Sequence, residues 1–349
     1  MELFFDTRQL NHRPTQYLVH GRIVAPLEKP ERFEVMRDAL LAAGLLEGKV
    51  QDSGSDPIRN VHAPHYVAFL ETAVEAFAAL PNAGPELLPN VHPYAAGTPG
   101  LRQRPAPRTT GILGRAGWYI GDMSCAMMAG TFEAAYWSAQ SALSAATAVA
   151  EGADCAFALC RPPGHHAYAD RASGFCFFNN AALAAERLRR VHDRVAILDF
   201  DTHHGDGTQA IFYERADVLF ASTHTDPQAY YPHYFGYADE TGEGEGRGFN
   251  LNIPLAPGSD DDHFVGAVER LAERVLRHAP GALVLSAGWD AHRNDPLSRL
   301  DVGTQAFSRI GKLLGGLNLP TVIVQEGGYS LDAVAEAAPA FMTAFRSAR

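Results

Sequence analysis

Five short stretches constrain this chain more than any other feature, because each is an apolar run that stops abruptly at charged or polar residues. They read CAFALCRPPGHH (155–166), VAILDFD (195–201), VLFASTH (218–224), ALVLSAGWD (282–290) and TVIVQEGGY (321–329). A strand with one wet face alternates apolar and polar residues. Near-continuous hydrophobicity instead marks strands covered on both faces, as in a parallel sheet. Between the runs lie helical patterns at 179–193 and 260–281, each opened by an Asn or Asp N-cap and the second closed near Gly. This alternation predicts right-handed βαβ units, and so an α/β fold: an α/β/α sandwich with a mostly parallel central sheet. A chain of 349 residues, 46% hydrophobic and 20% charged, accommodates it as a single domain over 1–349, with no internal repeat.

Ligands in open α/β sheets bind at the carboxyl ends of strands, where each of these runs places its reactive residues. The densest is ILDFDTHHGDG, in which Asp199, Asp201, His203, His204 and Asp206 crowd together as no packed core tolerates unaided. Asp201 and His203, two apart at a strand end, can point to one face and share an ion. Taken alone, the pair is a weak signal and reads first as a capping Asp beside a satisfied histidine. Asp290 offers a third ligand, and Asp, His, Asp with an open position is the pattern of a catalytic zinc site. His165, His166 and Tyr329 stand at the ends of two further runs.

Composition narrows the partners. A formal charge of -11 argues against nucleic-acid or anionic-membrane binding, which needs clustered Lys and Arg, and is compatible with small cationic substrates. No stretch is long and apolar enough for a membrane span, and MELFFDTRQL lacks a basic start and apolar run, so a cytoplasmic location is expected. Cys125, Cys155, Cys160 and Cys176 have no CxxC spacing and read as reduced core residues.

The motifs RPPGHHA, GFCFFNNAALAA, ILDFDTHHGDGTQAIFY, SAGWDAHRNDPL and EGGY together resemble the zinc-dependent histone deacetylase superfamily, in its acetylpolyamine amidohydrolase branch. TRQLNHRPTQYLVHGRIVAPLEKPERFEVMRDAL and AGTFEAAYWSAQSALSAATAVAEGA are similar to that branch's start and central helix, so the resemblance is nearly whole-chain. It implies the arginase/deacetylase fold and one catalytic Zn2+ held by Asp201, His203 and Asp290. His166 is then the general acid/base with His165 beside it, and Tyr329 polarises the carbonyl. Asp199 would orient His165, and Asp206 would orient His166. The resemblance also implies structural K+. One ion would be held by the Asp199 and Ser222 side chains with the carbonyls of Asp201, His203 and Thr223. A second would sit by the carbonyls of Phe212, Arg215 and Val218. Phe175 and Tyr231 match aromatic walls of the substrate tunnel, Gly174 allows close backbone approach, Leu297 stands at a gatekeeping position, and Ser124 falls where the branch can place an acidic rim residue.

The reaction so implied is amide hydrolysis of N-acetylated amines, with acetylpolyamines, acetyl-lysine proteins and small amides or anilides as the alternative substrates. A cationic substrate is expected to be preferred, with Asp122, Glu243 and Glu245 as candidate holders of its remote ammonium. A binuclear arginase-like hydrolase is the rival on the same fold, but Gly205 replaces the carboxylate that would bridge a second metal. A non-catalytic binding module is expected to have lost a ligand, His166 or Tyr329, and none is lost. GEGEGRG (242–248) follows no strand and carries Glu243 and Glu245, so it reads as a flexible acidic loop rather than a phosphate cradle. The segment 85–110 holds six of the 22 prolines and reads as an ordered irregular loop at a site mouth or subunit contact. A homodimer is expected from the resemblance there and because Leu87, Leu88, Val91 and Tyr94 would otherwise lie exposed.

Overall fold

The computed structural model describes residues 1–19, 21–92 and 104–349. In chain order the strands are β1 (Glu2–Phe4), β2 (Tyr17–Val19), β3 (Arg22–Val24), β4 (Leu46–Gly48), β5 (Cys155–Ala158), β6 (Val195–Asp199), β7 (Val218–Thr225), β8 (Asn250–Leu255), β9 (Ala282–Ala287) and β10 (Thr321–Gln325). The α-helices are α1 (Pro30–Ala42), α2 (Asp56–Val61), α3 (Pro64–Ala78), α4 (Ile112–Tyr119), α5 (Thr131–Ala150), α6 (Asn180–Arg189), α7 (Asp206–Phe212), α8 (Asp261–His278), α9 (Thr304–Gly315) and α10 (Leu331–Ser347). Eight strands form one parallel sheet in the order β4-β1-β5-β10-β9-β6-β7-β8, and β2 and β3 form a separate antiparallel hairpin.

Every residue of β6, β7, β9 and β10 is buried, as continuous apolar runs require. One apolar layer contains residues of α2, α3, α5 and α6; the opposite layer contains residues of α1, α8, α9 and α10. Alternate residues of a strand feed opposite layers: Ile197 and Val284 join the first, Leu198 and Leu285 the second. The anticipated N-caps form, with the Asn179 side chain accepting from Ala182 N–H and the Asp260 side chain from His263 N–H. Helix α8 ends sooner than the glycine suggested, with Ala279 in the left-handed region (φ 51°), because Pro280 cannot continue a helix.

The strand order assembles the site. β9 returns between β6 and β10, and β10 lies beside β5, so β5, β10, β9, β6 and β7 are successive neighbours. Residues 165 to 329 therefore meet at one edge of the sheet although 164 positions separate the first from the last.

Candidate active site

Asp201, His203 and Asp290 place one ligand atom each within 4.8 Å of one another, and all three are buried. His203 Nδ1 lies 3.1 Å from both Asp201 Oδ1 and Asp290 Oδ2. The remaining carboxylate valences are met by backbone: Asp201 Oδ2 accepts from Gly327 N–H (2.8 Å) and Asp290 Oδ1 from Thr202 N–H (3.0 Å). Glycines make the room. A Cβ on Gly288 would lie 2.1 Å from Asp201 Oδ2, and one on Gly327 2.0 Å from Asp290 Oδ2. Burial and the Asp201 charge push the Asp290 carboxyl up to about 6; burial also acts to raise Asp201, but the His165 and His203 rings outweigh it and hold that carboxyl low. Two buried carboxylates and one imidazole at this spacing suit a divalent cation with an open position.

His165 and His166 follow β5 with ring centroids 4.0 Å apart. His165 Nδ1 lies 3.0 Å from Asp199 Oδ2, and His166 Nδ1 lies 2.6 Å from Asp206 Oδ1. A carboxylate only accepts, so Nδ1 of His166 carries the proton and Nε2 has a free lone pair. Asp206 opens α7 and also accepts from Tyr168 Oη (2.7 Å). Burial, then the neighbouring His165, lowers the His166 pKa from the usual histidine value. Gly174 (φ 53°) gives close approach not only toward the cavity but to this ring, since a Cβ there would lie 2.3 Å from His166 Cδ2.

Tyr329 is held by groups outside the sequence reading. Its N–H donates to Asp295 Oδ2 (2.6 Å), and the Arg32 guanidinium stacks 4.5 Å over its ring. Arg32 comes from α1, donates to the carbonyls of Gly328 and Glu326, and pairs with Glu28 at 2.9 Å. Burial pushes the Tyr329 hydroxyl well above its ordinary pKa, so it stays a donor. Glu326 is another such group: Oε2 accepts from the N–H of Gly164 (2.7 Å) and His165 (3.0 Å), and Oε1 from Ser286 (2.8 Å). It pins the two-histidine loop to the end of β10. Glu326, Asp295 and Arg32 all lie inside the quoted stretches, but nothing local to Arg32 points to Tyr329.

His166, His203 and Tyr329 border a cavity of about 490 Å3. Phe175, Tyr231, Leu297, Ser124, Gly174, His166, His203 and Tyr329 line it, together with Tyr17, Tyr230 and Arg299. The Phe175 ring lies 5.8 Å from that of Tyr329, Tyr231 5.0 Å from His166, and Tyr230 stacks on His203 at 5.1 Å. Ser222 pairs with Asp199 across β6 and β7, with its hydroxyl 2.8 Å from His224 Nδ1. Thr223 Oγ1 donates to Ile253 O.

Several expectations need correction. Asp122 lines the cavity but is not a free mouth carboxylate. Oδ1 accepts from Ser124 N–H and Oγ, and Oδ2 from Ser173 Oγ, Gly174 N–H and Tyr231 Oη. Glu243 and Glu245 are absent from the lining; their loop forms a short 3-10 turn, Gly244–Gly246, packed against Tyr213 and Arg215. Leu87 is fully buried and pairs with Met127 through two backbone hydrogen bonds, Leu88 is half-buried, Val91 is exposed, and Tyr94 lies outside the described residues. Position 205 has no room for a second-metal ligand, since a Cβ there would meet Asp199 Oδ2 at 2.4 Å. Among the described residues no helix is long and apolar enough to cross a membrane.

Comparison with known proteins agrees with this arrangement. Residues 26–345 match the histone deacetylase domain. The chain is 46% identical over 350 residues to an acetylpolyamine amidohydrolase of Burkholderia pseudomallei, with 100% of each sequence covered. It is 42% identical over 336 residues to acetylpolyamine amidohydrolase 2 of Pseudomonas aeruginosa, covering 96% of this chain and 95% of that one. A crystal structure of the acetylpolyamine aminohydrolase from Burkholderia pseudomallei superposes with a TM-score of 0.94 at 45% identity, covering 100% of this chain and 99% of that one. With the motifs, the parallel sheet and the full-length similarity all in agreement, the chain belongs to the histone deacetylase family of hydrolytic enzymes.

Proposed function

We propose that this enzyme hydrolyses N-acetyl amides of unbranched primary amines, the class that includes acetylpolyamines, at a zinc centre formed by Asp201, His203 and Asp290. The observation behind this reading is the convergence of that triad, the His166–Asp206 pair and Tyr329 on one aromatic-walled cavity. The names of the relatives support the polyamine assignment. Bound there, zinc supplies Lewis-acid polarisation of an acyl oxygen and acidification of water.

The chain's own groups do the rest. Neutral His166 takes a proton from attacking water at Nε2 while the Asp206 carboxylate stabilises the imidazolium that forms. The same proton then passes to the departing amine, giving a free amine and a carboxylate. Tyr329, kept protonated by burial, donates to the oxygen on which charge develops, a contribution of about 3 kcal/mol in comparable sites. Phe175, Tyr230 and Tyr231 exclude water from the methylene chain beside the amide.

Structural K+ at Asp199 and Ser222 is part of the proposal. Burial and the neighbouring Asp201 push the Asp199 carboxyl well above its ordinary range, a cost that a cation offsets. A cytoplasmic homodimer is part of the proposal, the dimer resting on the resemblance at 85–110; light scattering at micromolar protein that returned a monomer would refute the dimer. The function is tested by amine release from acetylputrescine, acetylspermidine, an acetyl-lysine peptide and acetanilide with the zinc-loaded enzyme. Turnover of the acetylated amines is expected, and inertness toward all four would remove the proposal.

A further inference from the structure

The rim of the cavity carries a charge opposite to the one expected for a polyamine mouth. Asp122 is the only carboxylate among the described lining residues, and its five accepted hydrogen bonds leave it no free face toward a ligand. Nor can an undescribed part of the chain supply one: His20 and residues 93–103 contain no Asp or Glu. The lining does contain Arg299, which is exposed and has no ion pair with a described carboxylate. Its guanidinium lies 4.8 Å over the Tyr230 ring, which itself stacks on His203, so the cation is fixed above the aromatic wall next to the triad. Tyr230 is in turn tied to the rim by its hydroxyl, which donates to Leu297 O at 2.7 Å. A guanidinium held on an aromatic face keeps its charge and its outward N–H donors, which suit a carboxylate and repel an ammonium.

We infer that Arg299 determines specificity by the charge at the far end of the substrate. Among N-acetylated amines it favours those whose remote end is a carboxylate or uncharged over acetylpolyamines of the same length. This rests on the deacylase reading above and narrows its substrate class.

The test compares kcat/KM of the zinc-loaded enzyme for three length-matched series: N-acetylputrescine and its longer homologues, acetamido carboxylates, and acetylated n-alkylamines. In the native enzyme the carboxylate should exceed the amine at the length that reaches the rim. Arg299→Glu should move the carboxylate-to-amine ratio toward the amine by about tenfold, as expected for reversing one solvent-facing charge. Arg299→Gln should fall between, and the shift should shrink at high salt. A ratio that favours the amine in the native enzyme, or stays within about twofold in Arg299→Glu, would overturn the inference while leaving the deacylase reading intact. Turnover of none of the three series would remove both.

Discussion

Asp206 Oδ1 lies 2.6 Å from His166 Nδ1, and its other oxygen accepts the Tyr168 hydroxyl at 2.7 Å. The carboxylate therefore fixes both the tautomer and the rotation of the ring. Asp206→Asn keeps the shape but can present an N–H to Nδ1, which favours the wrong tautomer. Turnover should fall by about 10²- to 10⁴-fold with zinc content unchanged. Zinc analysis beside steady-state kinetics checks this, and a near-native rate would show that the pair does not act in proton transfer.

The pH dependence has a definite sign. Burial and His165 lower the His166 pKa, and the base works only when unprotonated. The ascending limb of kcat/KM should therefore lie on the acid side of the ordinary histidine value of 6.5, with activity kept above it and lost as pH falls. The Asp206 charge raises that pKa, so Asp206→Asn should move the limb further toward acid. A limb above neutral pH would contradict the assignment.

Glu326 separates a charge from its hydrogen bonds. Burial lifts it from 4.5 to about 7, so the folded state binds the extra proton between those values. Stability should decrease as pH rises through that window. Glu326→Gln should flatten this slope, since the amide oxygen can serve Gly164 and His165 while its N–H faces Ser286. Glu326→Ala strands buried donors and should cost about 3 kcal/mol in urea unfolding. Equal slopes in native enzyme and Glu326→Gln would show that this group does not titrate in the window.

Gly205 tests the mononuclear reading. Because a Cβ there meets Asp199 Oδ2 at 2.4 Å, Gly205→Ala should displace the Asp199 carboxylate and lower the melting temperature, and Gly205→Asp should not create a second metal site. Two metal ions bound per Gly205→Asp chain would refute the packing argument.

The parts legible in sequence were those with a local signature. Continuous apolar strands such as Val195–Asp199 announced their burial, and the strand-end position of Asp201, His203 and Asp290 placed them together. The short strands Glu2–Phe4 and Leu46–Gly48 were not legible, because three residues give no measurable period. Arg32 was not legible either: its role under Tyr329 exists only once the fold brings α1 to the loop after β10, and Tyr329 stands 297 positions away in sequence. Asp122 was seen but misread, since sequence gives a carboxylate's place along the chain and not the donors that fold around it. Its true task is to hold the Tyr231 and Ser173 hydroxyls and the Gly174 backbone in the cavity wall.

The central claim is tested most directly by measuring zinc content and amine release from an acetylated primary amine together, in the native enzyme, His166→Ala and Asp290→Ala. The account predicts one zinc per chain in the first two, turnover lowered by about 10²- to 10⁴-fold in His166→Ala, and loss of both zinc and turnover in Asp290→Ala. Full zinc in Asp290→Ala, or unimpaired release by His166→Ala, would contradict it.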